Sequence, residues 1–321
     1  MKNNPILIVA GEPFSIFIEI FLKTLNKFEV KKSIIIIVSK ELFIQQMKEL
    51  NFHFKINLID KNNINFNQLS KKKINIIDTN FNFIKPFDKI TNNSNNYLNE
   101  SFKIALKLIK TKKFAGLING PISKKNFLKK NFLGITEYLA NKTNAKNKVS
   151  MLIYNKRLSV CPITTHLPLK KVYKNITKKN IIYQIKLITD FYKKNLKKKP
   201  KIAILGLNPH CESNYTSSEE DIVIKPAIKN LKKNKYNVNG PFSADTIFMK
   251  QQSKNYDVIV GMYHDQVLTP AKTLFGFDSI NITLGLPFIR ISPDHGPNNA
   301  MLGKNKSDPQ SLIKAIEFLD K

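Results

Sequence analysis

At 321 residues the chain is long for one core, so one large or two interlocked domains are expected. No apolar run approaches the ~18 residues of a membrane helix, the N-terminal apolar segment is too short for a signal peptide, and two cysteines, Cys161 and Cys211, make no disulfide framework; a cytoplasmic protein without membrane contact is expected. The net charge of +30 raises the question of nucleic acid, but the lysines are scattered over nearly every helix-like segment rather than gathered in a stripe with aromatic platforms, so no nucleic-acid partner is expected and a diffuse positive field would instead recruit an anionic substrate.

In chain order, Pro5–Ala10 reads as a first strand that stops at Gly11-Glu12-Pro13, and Phe14–Phe28 as a helix. A strand over Ser33–Val38 and a helix from about Lys40 to Leu50 follow, then strand candidates at Phe54–Ile59 and Ile74–Ile77. Residues 60–72 and 79–97 are rich in Asn and Lys and read as loops. Asn99–Lys110 has helical periodicity, Phe114–Ile118 is a strand ending at Asn119-Gly120-Pro121, and Lys125–Lys130 and Thr136–Asn141 read as helical. Val149–Tyr154 and Leu158–Ile163 form a strand pair, Asn180–Asn195 an amphipathic helix with Asn180 as its N-cap, and Ile202–Gly206 a strand. Glu219–Lys232 is a helix with acids in its first turn. The apolar run at 256–261 is a strand leading into Met262-Tyr263-His264-Asp265-Gln266, and Pro309–Asp320 is the last helix. Strands alternating with helices predict an α/β fold with a mostly parallel sheet.

Two scarcities are informative. Of 53 Lys and Arg only Arg157 and Arg290 are Arg. Where a generic cation suffices this chain uses Lys, so Arg290 marks a place needing a planar, bidentate donor, for a ligand or for a structural ion pair. Glycine is also rare, 11 in all, and several stand at strand ends, Gly11 and Gly120 among them, where positive φ or close approach is useful.

Three of the five histidines, His166, His210 and His264, lie just past the ends of short apolar strands. If those strands run parallel in one sheet, the imidazoles emerge on one edge, where α/β proteins collect ligands. Three imidazoles with open positions suit a divalent metal that also holds substrate, although the wide spacing is equally that of unrelated polar histidines. Asp245 and Asp265 are candidate acid/base or supporting carboxylates. Cys211, beside His210, reads as a small packing residue in preference to a fourth ligand. Lys272, Asn281 and Arg290 form a second set suited to a phosphate or carboxylate. Neither the G-x-G-x-x-G fingerprint nor a P-loop occurs.

The segments Thr-Thr-His-Leu-Pro-Leu-Lys-Lys-Val (164–172), Gly-Leu-Asn-Pro-His (206–210), Glu219-Glu220, Pro-Phe-Ser-Ala-Asp-Thr (241–246), Met-Tyr-His-Asp-Gln (262–266) and Asn-Ile-Thr-Leu-Gly-Leu-Pro-Phe-Ile-Arg-x-Ser-x-Asp-His-Gly (281–296), in that order, resemble the 4-hydroxythreonine-4-phosphate dehydrogenases of pyridoxal-phosphate biosynthesis. The resemblance covers nearly the whole chain. It implies the isocitrate/isopropylmalate dehydrogenase-type two-domain α/β fold, with one domain from residues 1–130 plus 286–321 on the nucleotide side and a second over 131–285 on the metal and dimer side. It implies a homodimer with the active site at the interface, NAD or NADP as cofactor, and a divalent metal (Zn, Mg or Co). Carried over, it places the metal on His166, His210 and His264, catalysis on Asp245 and Asp265, and substrate contacts on Thr136, Lys272, Asn281 and Arg290. Cofactor contacts are expected at Gly11, Gly120, His295 and Gly296.

The chain departs from the pattern in three places. Gly-His-Thr-Glu is Gly134-Ile135-Thr136-Glu137 here; Gly-Asp-Pro-x-Gly-Ile-Gly-Pro-Glu is Gly11-Glu12-Pro13-Phe14-Ser15-Ile16-Phe17-Ile18-Glu19; and Asp-His-Gly-Thr-Ala continues as Pro297-Asn298. The expected activity is oxidation of 4-phosphooxy-L-threonine followed by decarboxylation to 3-amino-2-oxopropyl phosphate. The alternatives are a paralogue acting on another 4-phosphorylated hydroxy acid and a catalytically weak ligand-binding homologue.

Overall fold

The computed structural model describes residues 4–128, 132, 134–146, 148–211 and 217–321. In chain order the strands are β1 (Ile6–Val9), β2 (Ile34–Val38), β3 (Ile56–Leu58), β4 (Ile74–Asp78), β5 (Gly116–Asn119), β6 (Ser150–Tyr154), β7 (Ser159–Thr164), β8 (Ile202–Leu205), β9 (Val238–Phe242), β10 (Val258–Tyr263), β11 (Ile280–Leu284) and β12 (Arg290–Pro293). The helices are α1 (Phe17–Lys27), α2 (Lys40–Glu49), α3 (Ser94–Ile109), α4 (Ile135–Lys142), α5 (Leu169–Asn175), α6 (Lys178–Leu196), α7 (Lys225–Lys233), α8 (Lys250–Ser253), α9 (His264–Phe275) and α10 (Gln310–Leu319). The chain divides into two compact units, Met1–Asn147 with Leu286–Lys321, and Lys148–Gly285. Among the described residues no helix is long and apolar enough to cross a membrane.

In the first unit the strand order is β3-β4-β2-β1-β5-β12 and every pairing is parallel. The central strands β1 (Ile-Leu-Ile-Val) and β2 (Ile-Ile-Ile-Ile-Val) are unbroken apolar runs because both faces of a parallel sheet are covered. Leu7, Val9, Ile35 and Ile37 pack against Phe102, Leu106 and Ile109 of α3. The sequence reading opened the second domain at 131. Instead α4 lies in the first unit, because Ile135, Tyr138 and Leu139 pack into that apolar cluster.

In the second unit the order is β11-β6-β7-β10-β8-β9, antiparallel over β11–β6–β7 and parallel from β7 to β9. The expected strand pair at 149–163 is this antiparallel hairpin. Val160, Ala203, Leu205, Ile259 and Val267 form its core.

Local differences from the sequence reading have physical causes. Of the helix expected over 125–130, Lys124–Leu128 form one π-type turn, and 129–130 lie outside the described residues. The N-cap of α6 is Thr177, whose hydroxyl accepts the Asn180 N–H at 3.2 Å, rather than Asn180. The motif segment 281–290 runs from β11 to the first residue of β12. Gly285 interrupts it at φ +85°, where a Cβ would run into the Lys148 carbonyl. The helix expected from 219 begins as a π-type turn at Glu220–Ile224. Helix α5 and strand β9 carry too little periodic apolar pattern to be read from the sequence.

Candidate active site

Strands β7, β10 and β8 are parallel neighbours, and each hands over to a histidine at its carboxyl end. His166 lies two residues beyond β7, His264 opens α9 directly after β10, and His210 sits in the turn Pro209–Cys211 after β8. The strand-end context noticed in the sequence therefore becomes one edge of one sheet, as the parallel pairing requires.

The edge is laced from behind. The Thr164 hydroxyl donates to the Met262 carbonyl at 2.8 Å, which ties the end of β7 to the end of β10. Gln266 accepts from the Met262 N–H at 2.7 Å and donates to the Gly206 carbonyl at 2.8 Å, which ties β10 to the end of β8. His166 and His264 face each other with ring centroids 6.2 Å apart. They line a cavity of about 210 Å³ together with Thr165, Leu167, Tyr263 and Asp265.

Each aspartate has a histidine beside it. Asp265 Oδ1 is 2.6 Å from His264 Nδ1, and Asp245 Oδ2 is 3.9 Å from His210 Nδ1. A carboxylate on Nδ1 fixes that nitrogen as the protonated one and leaves Nε2 as the free lone pair. The donor chemistry thus suits a divalent metal: His264 presents Nε2, and the imidazoles of His166 and His210 stand on the neighbouring strand ends, Asp245 being too far from His210 to fix its tautomer. Among the described residues, no group of three His, Cys, Asp or Glu side chains is drawn together tightly enough to hold an ion. Asp245 is also hydrogen-bonded by the Ser243 hydroxyl, which holds its carboxyl below the usual range.

The remaining candidates divide between the units. In the second, Lys272 lies two turns along α9 from His264, its side chain exposed and its ammonium 5.7 Å from the centre of the Phe277 ring. Partial desolvation of the ammonium lowers its pKa. Asn281 stands on β11 with its side-chain oxygen buried and without a hydrogen-bond partner among the described residues. In the first unit Arg290 opens β12 and is 0% exposed. Its Nε donates to Asn119 Oδ1 at 2.7 Å and its Nη1 to Thr136 Oγ1 at 3.3 Å. Burial pulls the guanidinium down to about 10, against the pull of the Glu137 charge. The structure brings Thr136 and Arg290 together, and it supplies two polar neighbours that sequence reasoning missed, Asn119 and Glu137. Asn119 was visible only as a strand-end residue.

Of the four cofactor candidates, Gly11 and Gly120 are buried against one another at the ends of β1 and β5. A Cβ on Gly11 would meet the Pro121 carbonyl, and one on Gly120 the Ala10 carbonyl. Packing therefore requires glycine at both positions. His295 is partly buried, its Nδ1 lies 3.2 Å from the Gly296 carbonyl, and burial depresses its imidazole. The Ile16 N–H donates to the Pro297 carbonyl at 3.1 Å, and the Phe17 ring is 6.2 Å from that of His295. Two of the three departures from the family pattern, at 12–18 and at 297–298, thus meet in the fold.

The sequence pattern of the pyridoxal phosphate biosynthetic protein PdxA family matches residues 29–319. A 4-hydroxythreonine-4-phosphate dehydrogenase from a Sulfurihydrogenibium species is 39% identical over 97% of this chain and 96% of its own. One from Wigglesworthia glossinidia brevipalpis is 34% identical over 99% of this chain and 96% of its own. The crystal structure of 4-hydroxythreonine-4-phosphate dehydrogenase from Klebsiella pneumoniae superposes with a TM-score of 0.84 at 26% identity, covering 99% of this chain and 98% of that one.

Proposed function

The chain belongs to the PdxA family of pyridoxal phosphate biosynthetic proteins, and from that premise we propose that it is an NAD(P)- and divalent-metal-dependent dehydrogenase. Its substrate is 4-phosphooxy-L-threonine, and its product, after decarboxylation, is 3-amino-2-oxopropyl phosphate on the route to pyridoxine 5'-phosphate. The observation that carries the reading is the row of His166, His264 and His210 on adjacent parallel strand ends, with Asp265 on the Nδ1 of His264.

His166, His210 and His264 would hold the metal, whose Lewis acidity favours ionisation of a nearby alcohol and stabilises the negative charge left when CO2 departs. NAD or NADP would supply the hydride acceptor, with His295 and Gly296 as the proposed contacts. Asp265 keeps His264 in one tautomer and one orientation. Asp245, held ionised by the Ser243 hydroxyl, accepts the proton that leaves the substrate's alcohol. Thr136, Lys272, Asn281 and Arg290 contact the substrate, the two cations balancing its phosphate charge. The depressed pKa of Lys272 reflects a partly desolvated ammonium, which an anion neutralises favourably. A homodimer is part of the proposal. Leu169 and Tyr173 of α5, just beyond His166, are 72% and 50% exposed, and a second copy is the partner that would cover them.

The test mixes purified protein with 4-phosphooxy-threonine, a divalent cation and NAD or NADP, and follows the absorbance of the reduced nicotinamide. Metal-dependent reduction, abolished by chelator and by His210→Ala, is expected. A second reading, a paralogue that oxidises a different 4-phosphorylated hydroxy acid, is favoured by Ile135. That side chain packs on the apolar cluster of the first unit, where the family pattern has an imidazole able to donate a hydrogen bond. No reduction of NAD(P) with 4-phosphooxy-threonine, together with turnover of another member of a phosphorylated hydroxy-acid panel, would select it.

A further inference from the structure

The turn that carries His210 has a backbone that side chains rarely adopt unaided. His210 has φ 57° and ψ 7°, and Cys211 follows with φ 58°. Two successive left-handed residues that are not glycine persist only where the surroundings over-determine them. The residues just before them are held by a buried carboxylate. Glu220 is 0% exposed, and its Oε1 accepts the N–H of Leu207 at 2.7 Å and of Asn208 at 2.9 Å. Its Oε2 accepts the side-chain amide of Asn208 at 2.8 Å, and that amide also donates to Glu219 Oε2 at 2.9 Å. Burial alone would push the Glu220 carboxyl up, but these hydrogen bonds outweigh it and hold the group below the usual range. Gly206, which precedes the turn, leaves room for this arrangement: a Cβ there would meet Cys211 Sγ and Glu220 Oε1. The Gly206 carbonyl is in turn held by Gln266, two residues after His264.

We propose that Glu220 is a positioning residue for His210: through Leu207 and Asn208 it clamps the turn so that the imidazole is aimed before any metal arrives. The inference rests on the reading of His210 as a metal ligand. Preorganisation of a ligand by a buried charge raises metal affinity, because the ion then need not order the turn. Glu220 acts through the turn, so it is a positioning and not a catalytic residue.

The test uses the full chain, freed of metal by chelation, with Co2+ as probe. Binding is followed by calorimetric titration and by the visible absorption of the ion. Glu220→Gln keeps the size of the side chain but places an NH2 where one accepting oxygen stood. The expected result is Co2+ binding weakened at least about tenfold, with an altered visible spectrum and an unchanged far-ultraviolet circular dichroism spectrum. Glu220→Asp, which keeps the charge, is expected to recover part of the loss. A residue that only stabilised the unit would lower the unfolding midpoint and leave the Co2+ affinity of the folded protein as it was, and that result overturns the inference. If Glu220→Gln does not fold, Asn208→Ala replaces it, because it removes the amide tie and leaves the carboxylate in place. Several-fold weaker Co2+ binding is then expected, and unchanged affinity overturns the proposal. The two levels fail separately. Wild-type protein that takes up no Co2+, or takes it up equally well as His264→Ala, overturns the metal reading and this inference with it. Wild-type binding that His264→Ala loses and Glu220→Gln retains in full overturns this inference alone.

Discussion

The two units keep their functional candidates in opposite surroundings. In the second, the histidines and aspartates stand at the open ends of strands: His210 is 75% exposed and Asp265 78%. In the first, Arg290 is completely buried and bonded to Asn119 and Thr136. An exposed polar group costs the fold little and holds little of it together. A buried charge has already lost its water, so its neighbours must replace that water, and it becomes part of the structure. The comparison teaches that one chemical description, a polar residue at a strand end, covers two physical roles.

The comparison breaks most visibly at Arg290. Arg290→Ala is expected to lower the unfolding free energy by about 3 kcal/mol, since it empties a large buried volume and leaves Asn119 and Glu137 without their cation. Urea denaturation followed by circular dichroism measures it, and an unchanged midpoint would mean that the buried cluster does not support the fold. Gly120→Ala comes next, at about 2 kcal/mol, because its Cβ would meet the Ala10 carbonyl. If instead that variant keeps its stability and loses only NAD(P) binding, the glycine serves the cofactor and not the packing.

A pH titration sharpens the contrast within the first unit. Burial holds the His295 imidazole below its ordinary value of 6.5, so below neutrality the unfolded chain binds a proton that the folded chain resists. Stability contributed by this group is present above 6.5 and is lost as pH falls through that value toward the depressed one. His295→Gln should flatten that part of the stability profile. An unaltered slope would show that the imidazole titrates freely. The smallest effect on stability is expected at the open edge. His264→Ala should change the unfolding free energy by no more than about 0.5 kcal/mol while abolishing Co2+ uptake. A large loss of stability there would put the histidine edge in the same class as Arg290.

Much of the architecture was legible because it is local. Runs such as Ile34–Val38 and Val258–Tyr263 can be satisfied only by burial on both faces, so they announce parallel strands before any contact is known. The histidines could be singled out because strand ends are punctuated by glycine or a polar switch. Helix α5 escaped because its seven residues bury only Val172 and so carry no stripe. Strand β9 escaped because Asn239, Gly240 and Pro241 lack the β-branched pattern of the others.

By itself, the sequence determined the alternation of strands and helices, the strand-end placement of His166, His210 and His264, and the segments that identify the family. Each of these is written in neighbouring residues, through periods of 2 and 3.6 or through unbroken motifs. Only the tertiary structure decided that Arg290 is buried, that Asp265 rather than Asp245 grips its histidine closely, that Gly11 and Gly120 are claimed by packing, and that Glu220 clamps the His210 turn. Burial and most hydrogen-bond partners are properties of residues far apart in the chain. Arg290 meets Asn119 across 171 positions and Gln266 meets Gly206 across 60, and no local pattern encodes which distant backbone a side chain will reach.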